Sequence, residues 1–216
     1  MFGTAQKNSE VYLVSPYAPG YEDNILMKAD KNPNSKGAEM LGYRQDLKAL
    51  HGLFEMCRQG KVEGLVVFGQ DLLTLHGEHL SKEALNRISW SVFIGSNHNL
   101  MSEYAAYVLP SATHFEKQGT FTNFEGRTQK FEKVLEPLGE AKPEWQILTA
   151  LAGQIGMHMH FDEAEEIFSE MALAFPAFKG MTYEALGTGG LDIRKFAAPM
   201  IPAHTQDSKL IFYTTK

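Results

Sequence analysis

The residues best suited to chemistry in this sequence lie between positions 107 and 129. Two glycines, Gly119 and Gly126, stand among charged and amide side chains, and Pro110 stops regular backbone pairing ahead of them. This density of polar groups predicts a buried polar loop that holds a large ligand or a partner. Its polar side chains are His114, Glu116, Asn123, Glu125, Arg127 and Gln129.

One interpretation is that this loop binds an anion. Arg127 would be the charged ligand, because a guanidinium group can bind phosphate oxygens through two parallel hydrogen bonds. Gly119 and Gly126 would let the backbone approach a pyrophosphate closely, and His114 and Glu116 would line the cleft. His114 and Glu116 could also form an acid–base pair. Residues two apart share a strand face through its period alone, however, so a catalytic role is disfavoured.

The other interpretation is structural, and we favour it because polar loops are mostly explained by hydrogen-bond satisfaction. Glu125 and Arg127 would then form a buried ion pair. Asn123 and Gln129 would satisfy backbone groups of an irregular segment that cannot reach water. The structural polar loop would comprise His114, Glu116, Glu125, Arg127 and Gln129.

The order of residues in 108–129 is V-L-P-x-A-T-x-x-E-x-x-G-T-x-x-N-x-E-G-R-x-Q. This pattern resembles the molybdopterin oxidoreductase family. Within the family it is most similar to the C-terminal portion of the large iron–sulfur subunit (the G-type subunit) of respiratory complex I, an NADH–quinone oxidoreductase. The resemblance extends to residues 32–42, 66–69 and 144–147 and through a helical tail to the region of Gly190, so it covers most of the chain.

The resemblance implies an N-terminal region whose cysteines hold iron–sulfur clusters. This chain has a single cysteine, Cys57, whereas a cluster needs several thiolates at close spacing. We therefore expect iron–sulfur clusters only on partners or on missing segments. Cys57 lies at helical spacing and is predicted to be a small core residue. One cysteine forms no disulfide framework, which favours a reducing compartment.

Alternating helices and strands are predicted to position these residues. Apolar residues at helical spacing predict a helix over 46–58. Unbroken apolar runs predict strands over 64–68 and 90–94, covered on both faces as in parallel sheets, with a helix over 81–88 between them. This succession predicts an α/β fold. Its sheet would be doubly wound and mostly parallel, of the molybdopterin oxidoreductase type, with a helical C-terminal part.

Ligands of a doubly wound sheet bind beyond the carboxyl ends of its strands, which selects two loops. The loop after the first strand contains Gly69 and Gln70, and the loop after the second contains Asn97 and Asn99. Glycine lets backbone amides approach a phosphate, and asparagine supplies uncharged donors and acceptors. The resemblance implies that these loops border a pterin dinucleotide where one is bound. The candidate cofactor-binding residues are Gly69, Gln70, Asn97, Asn99, Gly119, Asn123, Gly126 and Arg127.

Two departures from the family pattern weaken cofactor binding. Gln70 and Asp71 stand where the family commonly has Gly-Glu-Asn-Pro or a close variant, and Glu103-Tyr104 replaces the usual Glu-Thr pair. An extra carboxylate and a bulky ring would repel or crowd a phosphate-rich ligand. We therefore expect this chain to bind no cofactor, with molybdopterin guanine dinucleotide as the alternative.

The C-terminal third is predicted to be helical. One helix is expected over 143–155, a second from Asp162, with Glu165 at capping-box spacing, to Pro176, and a short third over 182–187. The apolar stripes of the two longer helices predict core packing rather than a cofactor site.

This pattern divides the chain into two predicted domains. Residues 1–142 form an α/β domain, and residues 143–216 form a helical extension and an irregular tail packed on it. Short strands are expected over 11–14 and 210–213, and the second of these would pair with another chain or cap the domain edge.

Two histidine pairs could suggest metal sites. His158 and His160 are two residues apart, and His76 and His79 are three apart. Neither pair has a third ligand at suitable spacing, so both are predicted to face solvent and no metal site is expected.

Charge and hydropathy exclude further classes of function. The formal net charge is −6, and the basic residues are scattered rather than clustered, which argues against nucleic-acid binding. No apolar run approaches the roughly 20 residues that span a bilayer, and the start lacks the features of a signal peptide. We therefore expect a cytoplasmic chain without direct membrane insertion, held at the periphery of the inner membrane by partners.

The resemblance and the residues leave three functions open. The favoured one is a noncatalytic structural part of a complex I-like NADH–quinone oxidoreductase, whose other subunits would be the partners. The second is the cofactor-binding part of a molybdenum or tungsten bis-pterin oxidoreductase similar to formate dehydrogenase, in which Gly69, Asn97, Asn99 and Arg127 contact a guanine dinucleotide. The third is a free-standing nucleotide-binding module. None of the three makes the chain catalytic by itself.

Overall fold

The structure of the chain is a computed structural model. The strands predicted over 11–14 and 210–213 lie outside the residues that it describes, as do His79 and His158. The described residues are 20–43, 47–76, 82–157 and 159–195.

The described residues belong to two compact units. The first contains residues 47–76 and 82–111, and the second contains residues 20–43 and the described residues from 112 onward. The domain boundary predicted after residue 142 lies inside the second unit, and as a domain boundary it stays a prediction.

Helices and strands alternate through the first half of the described chain. The helices are α1 (Ser35–Met40), α2 (Leu47–Arg58), α3 (Leu72–His76), α4 (Lys82–Leu85), α5 (Leu100–Tyr104), α6 (Glu144–Gln154) and α7 (Ala164–Ala174). The strands are β1 (Gly64–Phe68), β2 (Trp90–Gly95), β3 (Tyr107–Pro110), β4 (Gly119–Thr122), β5 (Arg127–Phe131) and β6 (Leu191–Asp192). Single 3-10 turns lie at Pro176–Phe178, Glu184–Leu186 and Ile193–Lys195.

The first unit contains a parallel sheet with strand order β1-β2-β3. Gly64 pairs with Trp90, and Val92 pairs with Tyr107. The predicted β-α-β succession and the α/β class are thus confirmed, with strands close to the expected bounds. The predicted helix over 81–88 is shorter than expected, because α4 ends at Leu85. The doubly wound arrangement stays a prediction.

One face of this sheet forms the core of the first unit. Leu65, Val67 and Phe93 pack against the apolar stripe of α2, where Phe54 and Cys57 are fully buried. Burial of a side chain such as Phe54 stabilises the fold by about 1.5–3 kcal/mol. The helix predicted over 46–58 and the core position of Cys57 are therefore confirmed.

The other face of the sheet is only partly covered. Alternate residues of a strand point to opposite faces, and on this second face Val66 and Val92 are half-buried. Phe68 is 42% exposed and Tyr107 is 63% exposed. Ile94 on this face is buried, so the expectation of strands covered on both faces is met only in part within the described residues. A continuous apolar run shows that a strand can be buried on both faces. Whether it is buried depends on other segments that pack on those faces.

The second unit contains an antiparallel sheet with strand order β4-β5-β6. Thr122 pairs with Thr128 in the hairpin, and Arg127 pairs with Asp192 across the β5–β6 ladder. A separate apolar core lies beside it. Its buried members are Phe168, Ala172, Ala177, Phe178, Met181, Tyr183, Leu186 and Ile193.

The helix predicted over 143–155 is confirmed as α6, but the predicted orientation of its apolar stripe is not. Ile147 and Ala152 are buried, whereas Leu148, Leu151 and Ile155 are 40%, 44% and 74% exposed. The spacing of apolar residues predicts the helix. It does not show which of those apolar residues pack against another segment.

The second C-terminal helix begins slightly later than predicted. Its capping box joins Glu163 and Glu166 rather than Asp162 and Glu165, so the expected register was wrong by one residue. Its core position is confirmed at Phe168, which is buried. The short helix predicted over 182–187 is a single 3-10 turn.

Candidate functional site

Gly69 begins the loop that follows β1. Its φ is 65°, a left-handed conformation that favours glycine, and its amide donates to the carbonyl oxygen of Ile94 at 2.8 Å. This hydrogen bond continues the backbone pairing between β1 and β2. The Gly69 amide thus already has an acceptor within the sheet.

Asp71 joins the two loops at the carboxyl ends of the parallel strands. Its Oδ1 accepts from the Thr74 amide at 3.1 Å, and its Oδ2 accepts from the Thr74 hydroxyl at 2.7 Å. Oδ2 also accepts from the Leu100 amide at 3.3 Å, and the Met101 amide also acts to lower the pKa of Asp71. Partial burial acts to raise the pKa of Asp71, but these hydrogen bonds outweigh it and lower the pKa below its usual value.

Asn99 caps the start of α5 in the second loop. Its Oδ1 accepts from the Ser102 amide, and the Ser102 hydroxyl oxygen accepts from the Asn99 amide, each at 2.9 Å. The Asn99 carbonyl accepts from the Glu103 amide at 3.1 Å. The side chain predicted to contact a cofactor therefore forms a capping box within its own helix.

The other predicted residues of these loops differ in exposure. Gln70 is half-buried and Asn97 is exposed. The Tyr104 ring, expected to crowd a ligand, lies 4.7 Å from the ammonium group of Lys82. This cation–π contact gives the Tyr104 ring a partner within the first unit.

The segment predicted as one buried loop is mostly regular β structure. It contains β3 and the hairpin of β4 and β5, and Gly126 (φ 87°) lies in the turn. The hydroxyl oxygens of Thr122 and Thr128 are 2.9 Å apart and buried. The correction has a simple physical basis, because threonine at alternate positions on either side of an Asn–Gly-bounded turn is typical of a hairpin.

Asn123 stabilises the hairpin turn. Its Oδ1 accepts from the amides of Glu125 at 3.0 Å and of Arg127 at 2.9 Å. The role proposed for Asn123 in the structural interpretation, satisfaction of backbone groups, is therefore confirmed.

The predicted buried ion pair of Glu125 and Arg127 is wrong, because both side chains are exposed. Arg127 donates from Nη1 to the Gly189 carbonyl at 3.2 Å, and its charge acts on Asp192 in the paired strand. Gln129 is also exposed on β5. A hairpin places these alternate residues on the solvent face, which the assumption of an irregular loop did not anticipate.

Asp192 and Arg194 form an ion pair that no sequence pattern indicated. Arg194 Nε lies 2.8 Å from Asp192 Oδ1, and the Arg194 amide donates to the same oxygen at 3.0 Å. The hydrogen bond from the Arg194 side chain is the main cause that lowers the pKa of Asp192 to about 2. The pair closes the end of β6, beside Arg127.

Glu116 has a structural position. Its Oε2 accepts from the amide and hydroxyl of Thr113 at 2.8 and 3.0 Å, and its Oε1 accepts from the Leu138 amide at 3.1 Å. The Thr113 amide is the first cause that lowers the pKa of Glu116. His114 is exposed, and its ring centroid lies 4.0 Å from that of Phe115. Glu116 thus ties two turns together and does not face His114 as a base.

Histidine and cysteine residues provide no metal site in the described part of the chain. No group of three or more metal-binding side chains is found there. His160 is exposed, as predicted, and lies 3.4 Å from the exposed Asp162. Burial raises the pKa of the Cys57 thiol to about 12, so this side chain stays a neutral core group.

The candidate residues therefore fall into two groups. Gly69, Gln70, Asn97 and Asn99 lie in the first unit, and Gly119, Asn123, Gly126 and Arg127 lie in the second. The capping role of Asp71 was not predicted, although an Asp three residues before Thr74 at the start of an apolar run is a recognisable N-cap signal.

Asn34 was also missed. It has a left-handed backbone (φ 64°) and accepts from the Thr122 amide through Oδ1 at 2.8 Å. Gly37 leaves room for this contact, since an added Cβ would lie 2.2 Å from Asn34 Oδ1. No local pattern in the sequence links residues so far apart.

Comparison with protein families gives a match over residues 16–154 to the family described as "Molybdopterin oxidoreductase". The chain belongs to the molybdopterin oxidoreductase family. The family-level resemblance of the sequence motif is thereby confirmed.

Two relatives illustrate this family membership. The chain is 32% identical over 137 residues to a "Putative formate dehydrogenase" of Staphylococcus haemolyticus, a match that covers 63% of this chain and 14% of the relative. It is 32% identical over 185 residues to a protein of the same description from Staphylococcus aureus strain USA300, covering 85% of this chain and 18% of the relative. The chain thus spans less than a fifth of the length of these relatives.

The family takes its name from a pterin cofactor. The question is therefore whether the loops of the first unit could bind the phosphate groups of such a cofactor. The Gly69 amide and the first-turn amides of α5 have partners inside the chain. Asp71 adds a negative charge where a phosphate would approach. These groups do not fit the phosphate part of the cofactor. A role in cofactor binding for the candidate residues of either unit stays a prediction.

No described helix of this molybdopterin oxidoreductase chain combines the length and apolar character needed to cross a membrane.

Proposed function

We propose that the chain is a noncatalytic structural part of a complex I-like NADH–quinone oxidoreductase that retains the molybdopterin oxidoreductase fold. The observation that carries this proposal is the internal pairing of the predicted ligand residues. Asn99 caps its own helix, Arg127 donates to Gly189, and Glu116 ties Thr113 to Leu138. Side chains that stabilise loops in this way support a scaffold role.

The motif over residues 108–129 supports the complex I part of the proposal through its resemblance to the pattern of the large subunit of that enzyme. Exposed apolar surface supports incorporation into an assembly. Leu148 and Leu151 on α6 and Phe68 and Tyr107 on the parallel sheet are all exposed. On this proposal the partners are other subunits of the respiratory enzyme, and they hold the chain at the cytoplasmic side of the inner membrane.

A second candidate function is the cofactor-binding part of a molybdenum or tungsten bis-pterin oxidoreductase. The printed descriptions of the relatives, which are of formate dehydrogenase type, favour it. The exposed guanidinium of Arg127 and the glycines of the hairpin would then contact a guanine dinucleotide. The paired amides at Asp71 count against this alternative.

Purification from the native host tests the proposal. The tagged chain would be isolated under mild conditions, co-purifying polypeptides identified by mass spectrometry, and molybdenum and tungsten measured in the same sample. We expect NADH dehydrogenase subunits and neither metal in stoichiometric amount. Stoichiometric metal would contradict the proposal and establish the second function. Absence of both metal and oxidoreductase subunits would also contradict it and leave a free-standing nucleotide-binding module.

A further inference from the structure

The loops at the carboxyl ends of β1 and β2 carry an inference about why this chain would bind no dinucleotide there. We propose that the carboxylate of Asp71 is a built-in anion that occupies the amide donors at the start of α5, in place of a phosphate group of an external ligand. This inference deepens the proposed function and rests on it, because both require the post-strand loops to be structural.

The amides at the start of α5 have acceptors inside the chain. Leu100 donates to Asp71 Oδ2 at 3.3 Å, and Ser102 donates to Asn99 Oδ1 at 2.9 Å. The amide of Glu103 donates to the Asn99 carbonyl at 3.1 Å. An incoming phosphate that bound the amide of Leu100 or Ser102 would therefore have to displace a protein acceptor.

Asp71 is held in this position from its own side as well. It precedes α3, and the amide and hydroxyl of Thr74 both donate to its carboxylate. One carboxylate thus caps α3 and reaches the first turn of α5, 29 residues further along the chain. Two helix starts share a single negative charge, which is the electrostatic arrangement that a bound anion provides in other proteins.

A second acidic side chain adds to the barrier against phosphate. Glu103 lies in the first turn of α5, and its carboxylate faces the exposed His98 at 3.9 Å. Asp71 and Glu103 together place two carboxylates at this edge of the sheet. A phosphate-rich ligand would meet repulsion as well as occupied donors.

Amide hydrogen exchange and ligand titration on the full 216-residue chain test the proposal. In the wild-type chain we expect slow exchange at Leu100 and Met101 and no saturable binding of guanosine diphosphate or inorganic pyrophosphate at about millimolar concentration. In Asp71→Ala, exchange at Leu100 and Met101 should rise by about tenfold or more, because the Leu100 amide loses its acceptor and the Met101 amide loses the carboxylate beside it. Glu103→Ala is the matched control, since it removes a carboxylate from the same edge but no acceptor of these two amides.

Asp71→Asn keeps the test decisive if the alanine variant does not fold. It preserves the shape of the side chain and one acceptor oxygen, so exchange at Leu100 and Met101 should rise by a smaller factor than in Asp71→Ala, while Thr74 stays protected. Saturable binding of either probe to the wild-type chain, with protection of Leu100 and Met101, would overturn the proposal. Unchanged exchange in both Asp71 variants would overturn it too.

The two proposals fail separately. Fast exchange at Leu100 and Met101 in a chain that co-purifies with NADH dehydrogenase subunits would remove only the role of Asp71. Slow exchange that depends on Asp71, in a chain that co-purifies with stoichiometric molybdenum or tungsten, would remove only the noncatalytic function.

Discussion

Gly64 fixes the position of a large aromatic ring in the first unit. It pairs with Trp90 across the parallel sheet, and an added Cβ would lie 2.0 Å from the nearest indole carbons. No heavy atoms can approach so closely, so any side chain at position 64 must displace the ring or the strand. The indole of Trp90 thus packs directly on the backbone of Gly64, in space that a side chain at this position would fill.

Gly64→Ala is therefore expected to destabilise the chain by about 1–3 kcal/mol, because the Trp90 ring must leave its position. Urea denaturation monitored by tryptophan fluorescence measures this change. Gly52→Ala is the matched control, since Gly52 lies in α2 with nothing within 4 Å of an added Cβ. The control should be stabilising by about 0.5–1 kcal/mol. Equal effects of the two substitutions would contradict the close packing of Trp90 on Gly64.

At the scale of elements, helix α6 has apolar side chains of two kinds, buried and exposed. Ile147 is buried, while Leu151, one turn later, is 44% exposed. Ile147→Ala should lower the free energy of unfolding by about 2–4 kcal/mol, because it leaves a cavity. Leu151→Ala should lower it by less than about 1 kcal/mol in the isolated chain, because less apolar area leaves water. Urea denaturation of both variants checks the difference, and a larger loss for Leu151→Ala would show that the assigned buried side of α6 is wrong.

Local patterns in the sequence were enough to predict four elements. Helical spacing of apolar residues predicts α2 and α6, and unbroken apolar runs predict β1 and β2. Gly60 and Gly156, with φ of 66° and 77°, follow the ends of the two helices, where the left-handed conformation favours glycine. The exposed side of α6 was not predictable. Exposure depends on which other segments reach the helix, and no local pattern encodes that.

The candidate site was predictable in residue type and less so in geometry. Asn123 has the predicted backbone role, and a site role for the other polar residues of 107–129 stays a prediction. The hairpin was not predicted, because Pro110 and the glycines are also typical of an irregular loop. The alternating threonines at 120, 122 and 128 carried the strand signal. The acceptor role of Asp71 toward Leu100 depends on sheet formation, which brings distant loops together.

At the scale of the whole molecule, both units use carboxylates as hydrogen-bond acceptors for the backbone. Asp71 does so in the first unit, and Glu116 and Asp192 do so in the second. The pKa of each of the three is lowered. Protonation removes acceptor capacity and negative charge together, so the fold of each unit depends on the ionised forms.

The chain should therefore lose stability in acid. A carboxylate with a lowered folded-state pKa contributes stability above its unfolded value, and that contribution disappears as the pH falls through the folded value. For Asp192, whose pKa is about 2 against an ordinary value of 3.8, the loss should occur between about pH 4 and pH 2.

Urea denaturation of Asp192→Asn should show lower stability than wild type at about pH 7, with the difference shrinking toward about pH 2. Asp162→Asn, at an exposed carboxylate, is the matched control and should leave stability nearly unchanged at neutral pH. A stability difference for Asp192→Asn that stays constant across this range would mean that its ion pair with Arg194 does not set the acid sensitivity.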